Sequence, residues 1–259
     1  MVETWHLILG DSPLVATAVH DGHQLRPEVA EIMALTDAER LREEDPFTGS
    51  WTSVSENRLI GSQSRFEVDL NRPREKAVYI HPEDAWGLHV WKEMPAAETV
   101  EQSLASYDAF YEEAHRLYSD LEKRFNHFVV FDLHTYNHRR DGPDGALADV
   151  AGNPEVNLGT GTMERTRWAP IVDTFIRDLS AFDFLGRQLD VRENIKFRGG
   201  QFARWTHENF PHSGCVLSIE FKKFFMDEWT SVPDSVQLEA IQQSLQATVS
   251  GVLAALRNI

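Results

Sequence analysis

Cysteine is almost absent from this sequence, since Cys215 is the only one among 259 residues. An intrachain disulfide is therefore excluded, and a reducing compartment is the expected environment. No apolar run approaches the roughly 18 residues that a membrane-spanning helix needs. The first residues show no basic stretch ahead of an apolar one, so a signal peptide is not expected. Together these absences predict a cytoplasmic protein without a membrane partner.

Positive charge is scarce as well. The chain carries 25 Lys and Arg against 41 Asp and Glu, which gives a formal net charge of −16. A field of that sign repels nucleic acid, and no lysine- or arginine-rich run offsets it locally. An anionic small-molecule substrate would therefore need a few arginines to form a positive pocket. The motifs of serine hydrolases, phosphate-binding loops and dinucleotide-binding folds are missing too.

The apolar pattern predicts strands that alternate with long helices. The predicted strands are residues 5–9, 14–19, 66–70, 128–134, 195–197, 202–203 and 215–221, and the predicted helices are 27–45, 97–125, 170–185 and 233–256. This order favours an α/β fold, a three-layer α/β/α arrangement with a mixed, largely parallel sheet, in one domain spanning residues 1–259. In such sheets the active site lies beyond the carboxyl ends of the strands.

Histidines follow two of the predicted strands. His20 and His23 lie three residues apart in a turn, where two imidazoles can bind one metal ion, although eleven histidines make a chance pair possible. His134 ends the strand at 128–134 and is a candidate for the third ligand, which leaves the fourth position of a catalytic zinc open for water. Neighbouring Asp132 either orients a ligand or faces the sheet edge.

Two further motifs carry charged groups suited to catalysis. Asn71 and Arg72 place an amide beside a bidentate guanidinium, a combination that suits recognition of a carboxylate, and Arg65 lies close enough to join them. The alternative is a pair of surface arginines in a loop. Glu220 interrupts a strongly apolar strand, where a carboxylate is costly to bury, so it is a candidate general base or the partner of a neighbouring lysine.

Together these pieces resemble the N-formylglutamate amidohydrolase family, within the wider group of zinc carboxypeptidases and aspartoacylases. Val-Asp-Leu-Asn-Arg at 68–72 is similar to the Asp-Leu-Asn-Arg signature of those hydrolases. Asp-Leu-His at 132–134 looks like their final zinc ligand. The segment from Phe-Arg-Gly-Gly at 197–200 to Ser-Ile-Glu at 218–220 resembles their Gly-Gly segment leading to a glutamate. The resemblance extends over about residues 12–225.

The resemblance implies a role for each of these residues. Zinc is the implied cofactor, with His20, His23 and His134 as its ligands; His23 falls where the carboxypeptidases and aspartoacylases place a glutamate ligand. Glu220 corresponds to the general base, and Arg65 polarises the scissile carbonyl. The substrate-binding residues are Asn71, Arg72 and Arg204.

The predicted function is zinc-dependent hydrolysis of the amide bond of an N-acyl amino acid such as N-formyl-L-glutamate. A metallo-carboxypeptidase acting on a peptide or peptide-like amide is the first alternative, because the same groups can bind a C-terminal carboxylate. The second is a catalytically silent homologue that binds a small carboxylate. Retention of the base at Glu220 argues against that alternative, since mere binding needs no base.

Overall fold

The computed structural model describes residues 4–259, and its centre is a seven-stranded sheet with the order β1-β3-β2-β4-β7-β5-β6. The strands are β1 (Trp5–Ile8), β2 (Leu14–Ala18), β3 (Asn57–Gly61), β4 (Phe128–Tyr136), β5 (Val156–Gly159), β6 (Val191–Glu193) and β7 (Gly214–Lys222). Strands β1 and β3 pair antiparallel, as do β5 and β7, and the other four neighbouring pairs are parallel. The predicted mixed, largely parallel sheet is confirmed.

Helices cover both faces of this sheet. They are α1 (Pro27–Ile32), α2 (Asp37–Glu43), α3 (Thr48–Trp51), α4 (Ala97–Phe125), α5 (Ala169–Ala181), α6 (Gln201–Asn209) and α7 (Ser235–Leu256). One buried apolar cluster joins one face of the sheet to α5 and α7, and a second joins the other face to α4 and α6. The three-layer α/β/α arrangement follows from these two cores.

The central strand β4 shows how the two cores place polar side chains. Phe131 and Leu133 belong to the core with α5 and α7, whereas Phe128 and Val130 belong to the core with α4 and α6. Because side chains alternate along a strand, Asp132 and those after it at even numbers share the side of α4 and α6. That side, at the carboxyl ends of β2, β4 and β7, is where the polar side chains gather.

The predicted strand at 66–70 is wrong. The apolar residues Phe66, Val68 and Leu70 do alternate with the polar Glu67 and Asp69, but all five side chains are buried. However, the backbone turns on itself here, with the Val68 N–H donating to the Ser64 carbonyl at 3.3 Å. The alternation of apolar and polar residues belongs here to a buried loop, in which Arg26 and Arg65 pair with the two acids, and not to pairing in a sheet.

Other predicted boundaries also shift. The helix at 27–45 divides into α1 and α2, because Thr36 caps α2 in a reciprocal capping box with Glu39. Residues 202–203 lie in α6, and 195–197 follow the short strand β6. By contrast, α4 spans the predicted residues, and β4 extends the predicted strand to Tyr136. Within residues 4–259, no helix is both long and apolar enough to cross a membrane.

Candidate active site

His20 follows β2 at the carboxyl edge of the sheet and is 2% exposed. Its Nε2 lies 2.7 Å from Asp69 Oδ1 and its Nδ1 lies 3.3 Å from Asp45 Oδ2. Asp69 belongs to the loop at 68–72, and Asp45 follows α2. Thus two carboxylates from distant parts of the chain contact the two nitrogens of one ring.

His134, on β4, also has a carboxylate near each of its two ring nitrogens. Its Nδ1 lies 3.1 Å from the same Asp45 Oδ2, and its Nε2 lies 3.1 Å from Asp132 Oδ1. The Asn71 amide nitrogen is also near Nε2, at 3.4 Å. We infer that the Nε2–H of His134 donates to Asp132, because an ionised acceptor at the shorter distance forms the stronger hydrogen bond. Asp132 is fully buried and also accepts from Thr17 Oγ1 at 3.1 Å.

Both Nδ1 atoms therefore converge on Asp45, and both Nε2 atoms are held by buried carboxylates. Because a carboxylate holds the Nε2 proton, each Nδ1 becomes free to bind a metal ion once the proton that it shares with Asp45 leaves. The ligand atoms of His20, Asp45 and His134 lie within 4.8 Å of one another. Two imidazoles and a carboxylate with room for a fourth ligand match the donor set of a catalytic zinc.

The electrostatics of the cluster favour a cation. Burial alone would raise the pKa of Asp45, but hydrogen bonds from His134 and His20 hold that pKa well below its usual range. Burial would likewise lower the pKa of His134, yet Asp132 raises it well above its usual value. A site that binds protons this strongly also attracts a divalent metal ion, because the same negative field acts on both.

The structure does not bring His23 into this group. Its Nδ1 lies 2.6 Å from Glu44 Oε2, and its Nε2 lies 3.0 Å from an Arg40 Nη2. The side chain is 32% exposed, unlike the buried rings of His20 and His134. His23 therefore contacts the segment just before Asp45, and Asp45 occupies the third position of the cluster.

Glu220 lies on β7, next to the cluster of His20, Asp45 and His134. Its Cα pairs with that of His134 across the parallel strands β4 and β7, so the two side chains share one face. Removal from water raises the pKa of Glu220 to about 8. Lys222 and Lys223 donate to backbone carbonyls, and the ion pairs seen among residues 4–259 include none with Glu220. The carboxylate lines the cavity in front of the cluster.

Arg65 is mostly buried behind the cluster. Its Nη2 donates to Asp69 Oδ2 at 2.7 Å and its Nη1 donates to the Glu43 carbonyl at 3.2 Å. Tyr79 donates to the same Asp69 oxygen. The guanidinium carbon lies 4.8 Å from the ring centre of Trp86, a cation–π distance. Arg65 is thus fixed at the cavity wall through partners on several sides.

Asn71 joins two segments of the cavity wall. Its Oδ1 accepts from the Phe202 N–H at 2.9 Å, and a Cβ placed on Gly200 would lie 2.3 Å from that oxygen. Arg72 follows directly and lines the cavity with a side chain that is 39% exposed. Arg204 is different, because it is exposed on α6 and does not line the cavity.

The cavity encloses about 290 Å³. Its charged lining comprises the cations Arg65, Arg72, Arg140, Arg198 and Lys223 and the acids Glu43, Asp45 and Glu220. Cations outnumber acids here although the whole chain has a net charge of −16. The arginine-rich pocket expected inside an acidic protein is present.

Asp45 is the member of this cluster that was not predicted from the sequence, because Asp45-Pro46 reads as a helix stop. One signal was available. Glu43, Glu44 and Asp45 follow one another at the end of α2, where negative charge opposes the helix dipole. All three are buried, so each needs a partner. Asp69 was missed in the same way, within a motif read for its asparagine and arginine.

The chain is similar to known proteins both in sequence and in fold. The family model of N-formylglutamate amidohydrolase matches residues 12–226. The N-formylglutamate amidohydrolase of Ralstonia eutropha JMP134 superposes with a TM-score of 0.75 at 16% identity, covering 98% of this chain and 99% of that one. A gene product of Agrobacterium tumefaciens gives a TM-score of 0.68 at 14% identity, covering 97% and 96%. No curated protein matches the chain.

Proposed function

The chain belongs to the N-formylglutamate amidohydrolase family, and from that premise we propose that it is a zinc-dependent hydrolase of N-acyl amino acids, with N-formyl-L-glutamate as the first candidate substrate. The observation that carries the proposal is the convergence of His20, Asp45 and His134 beside Glu220. We also propose that residues 1–259 act as one hydrolase domain in the cytoplasm, which the single buried Cys215 supports.

His20, Asp45 and His134 would hold the metal through two Nδ1 atoms and a carboxylate oxygen. A zinc ion bound there would lower the pKa of a water ligand toward about 7 and polarise the scissile carbonyl. Asp69 and Asp132 keep the proton of each imidazole on Nε2, so that both rings present the correct nitrogen. Asp45 is held in turn by Thr135 Oγ1 at 2.9 Å.

Glu220 is the proposed general base. It takes the proton from the attacking water and returns it to the leaving amine, so one carboxylate serves both halves of the reaction. Burial raises the pKa of Glu220, which makes its carboxylate a stronger base toward the attacking water. Its position next to His134 across the paired strands β4 and β7 supports this role.

Arg65 and the pair Asn71–Arg72 act on the substrate. Three of the five N–H groups of Arg65 donate to protein atoms, which leaves two for the oxygen that becomes negative during attack. Arg72 binds the carboxylate next to the amide, and Asn71 holds the wall from which Arg72 extends. Binding the carboxylate orients the amide bond for attack.

The test is hydrolysis by the zinc-loaded protein of N-formyl, N-acetyl and N-succinyl amino acids alongside peptides with free C-termini. The Glu220→Gln variant should lose about two to four orders of magnitude in kcat while zinc content stays unchanged. Glu208→Gln, which neutralises an exposed carboxylate on α6, serves as the matched control.

Unchanged turnover in Glu220→Gln would remove Glu220 from the mechanism. Cleavage of peptides but not of acyl amino acids would replace the proposal by the carboxypeptidase alternative. If zinc binds and none of the compounds is hydrolysed, the silent carboxylate-binding alternative takes its place.

A further inference from the structure

The segment that carries Asp45 lies outside regular secondary structure. Asp45 comes after the end of α2, and the chain turns at Pro46 and Phe47 before α3 begins at Thr48. The last carbonyl groups of a helix have no partners within the helix, so they need donors from elsewhere. Side chains supply donors here, and the place of those side chains decides where Asp45 lies.

Lys223 is the main donor to this segment. Its Nζ donates to the Arg42 carbonyl at 2.6 Å and to the Glu44 carbonyl at 2.7 Å. The Arg42 carbonyl has a second donor, since it also accepts from Asn137 Nδ2 at 2.8 Å. For the Glu44 carbonyl, the hydrogen bonds found among residues 4–259 include no donor besides Lys223.

The Glu44 carbonyl belongs to the peptide group that joins Glu44 to Asp45. Because this group is planar and trans, its carbonyl and its N–H point in opposite directions. The N–H, which is that of Asp45, donates to the His20 carbonyl at 2.9 Å, and the carbonyl accepts from Lys223. The peptide group is thus held on both sides, and its orientation determines the direction in which Asp45 leaves the chain.

A lysine is an expensive residue in this position. Lys223 is 1% exposed, and in the part of the chain that the structure describes it forms no ion pair. Burying an ammonium group without a carboxylate partner costs free energy unless strong hydrogen bonds offset that cost. Methionine would fill nearly the same volume without this cost. The two hydrogen bonds from a charged donor are therefore what lysine supplies here.

We propose that Lys223 is a positioning residue, which holds the Glu44–Asp45 peptide group so that the Asp45 carboxylate faces His20 and His134 as a metal ion requires. This inference rests on the proposed function, in which these three residues bind zinc. The charge and the hydrogen bonds of Lys223 act on the metal with opposite signs. A positive charge repels a divalent cation, so removing the charge alone would strengthen metal binding. Loss of position would weaken binding, and we expect this effect to dominate because a displaced carboxylate loses its direct bond to the metal.

The test uses Lys223→Met, which removes the donor and keeps nearly the same volume. Lys222→Met is the matched control, because Lys222 also donates to a backbone carbonyl, that of Asn153 at 3.1 Å, but does not line the cavity. Zinc affinity, measured by competition with a chelator, should fall by about 10- to 100-fold in Lys223→Met and stay unchanged in the control. The d–d absorption bands of the cobalt-loaded protein, which report ligand geometry, should change in Lys223→Met alone.

A second readout needs no metal. In the metal-free protein, hydrogen exchange of the Asp45 amide should become about 10- to 100-fold faster in Lys223→Met, relative to the amide of Val130 in the central strand β4. Circular dichroism confirms that each variant is folded. Lys223→Gln is a second neutral variant whose shorter side chain does not reach the Glu44 carbonyl. It should show the same losses, and either variant carries the test if the other does not fold.

Unchanged or higher zinc affinity in a folded Lys223 variant would overturn the inference, because the lysine would then act through its charge or through stability alone. An Asp45 amide that exchanges no faster than in the wild type would overturn it as well, and so would an equal loss of zinc affinity in Lys222→Met. If the wild type binds zinc but hydrolyses none of the proposed substrates, the proposed function fails. The losses of zinc affinity and of exchange protection in Lys223→Met would in that case still support the inference.

Discussion

At the scale of single residues, the site depends on which nitrogen of each histidine is left free. Asp69 and Asp132 each contact an Nε2, at 2.7 Å and 3.1 Å, while both Nδ1 atoms face Asp45. If these carboxylates were absent, either ring could place its proton on Nδ1 and lose its capacity to bind metal. In the proposed mechanism the two buried aspartates therefore set the metal affinity without being ligands themselves.

Asp132→Asn tests this role, because asparagine keeps the shape and removes the charge. We expect zinc affinity to fall by about 10- to 100-fold, as measured by competition with a chelator. Asp120→Asn, on the exposed side of α4, is the control. Unaltered affinity in Asp132→Asn would show that the charge behind His134 does not matter.

The sequence predicts part of this site and not the rest, for a physical reason. His20 and His134 come directly at the ends of apolar strands, so the rule for parallel sheets places them together. Asp45 lies after a helix and a turn, and no local pattern specifies where such a loop returns. Its hydrogen bonds, among them one from its N–H to the His20 carbonyl at 2.9 Å, form only when the chain is folded.

At the scale of elements, the first residues of α6 pack tightly against the loop at 68–72. Gly200 has φ −93° and ψ −161°, a conformation open to any residue, so its importance lies in space alone. The nearest atoms to an added Cβ are those of the Asn71 amide, at 2.3 to 2.5 Å. A larger residue would displace Asn71 and with it Arg72.

Gly200→Ala should therefore lower kcat/KM by about 10- to 100-fold, since small displacements of positioning groups carry costs of that size. Zinc content should be unchanged, because the metal cluster lies on other elements. Gly152→Ala is the matched control, as a Cβ there meets nothing within 4 Å. Equal activities of the two variants would refute the role of this contact.

Helix α6 also carries the buried His207, whose protonation makes the stability of the fold depend on pH. The His207 Nε2 accepts from the Val216 N–H at 3.0 Å, so its Nδ1 carries the proton and donates to Thr162 Oγ1 at 2.9 Å. Burial lowers the pKa of His207 from 6.5 to about 4. Between these values the unfolded chain binds more protons than the folded one. The contribution of neutral His207 to stability is therefore complete above pH 6.5 and is lost as the pH falls toward 4.

Replacing His207 by glutamine should remove this part of the acid sensitivity. The free energy of unfolding, measured by urea titration, should fall less between pH 7 and pH 5 in the variant, by about 2 kcal/mol. The exposed His212→Gln serves as a control with wild-type behaviour. An identical pH dependence of wild type and His207→Gln would contradict the assignment.

Elements with long, regular patterns are predictable, and irregular ones are not. Helix α4 and strand β4 follow from unbroken periodicity over many residues. The loop at 66–70 imitates a strand because apolar and polar residues alternate in it, although all five are buried and none pairs in the sheet. Strands β3 (Asn57–Gly61), β5 (Val156–Gly159) and β6 (Val191–Glu193) were not predicted, because each holds at most two apolar residues among polar residues and glycine.

At the scale of the whole molecule, sheet order creates the site. Strands β2, β4 and β7 are neighbours in space although more than a hundred residues separate the first from the second. Their parallel carboxyl ends bring His20, His134 and Glu220 to one edge. The sequence predicts the class of sheet, but the order of its strands comes from long-range packing that no local pattern records.

In the proposed site Asp45, and not His23, completes the metal ligands with His20 and His134. The most direct measurement is elemental analysis of purified wild type, Asp45→Asn and His23→Gln, with circular dichroism to confirm that each is folded. About one zinc per chain is expected in the wild type and in His23→Gln, and a large loss in folded Asp45→Asn. Retention of zinc in Asp45→Asn with loss in His23→Gln would contradict the account.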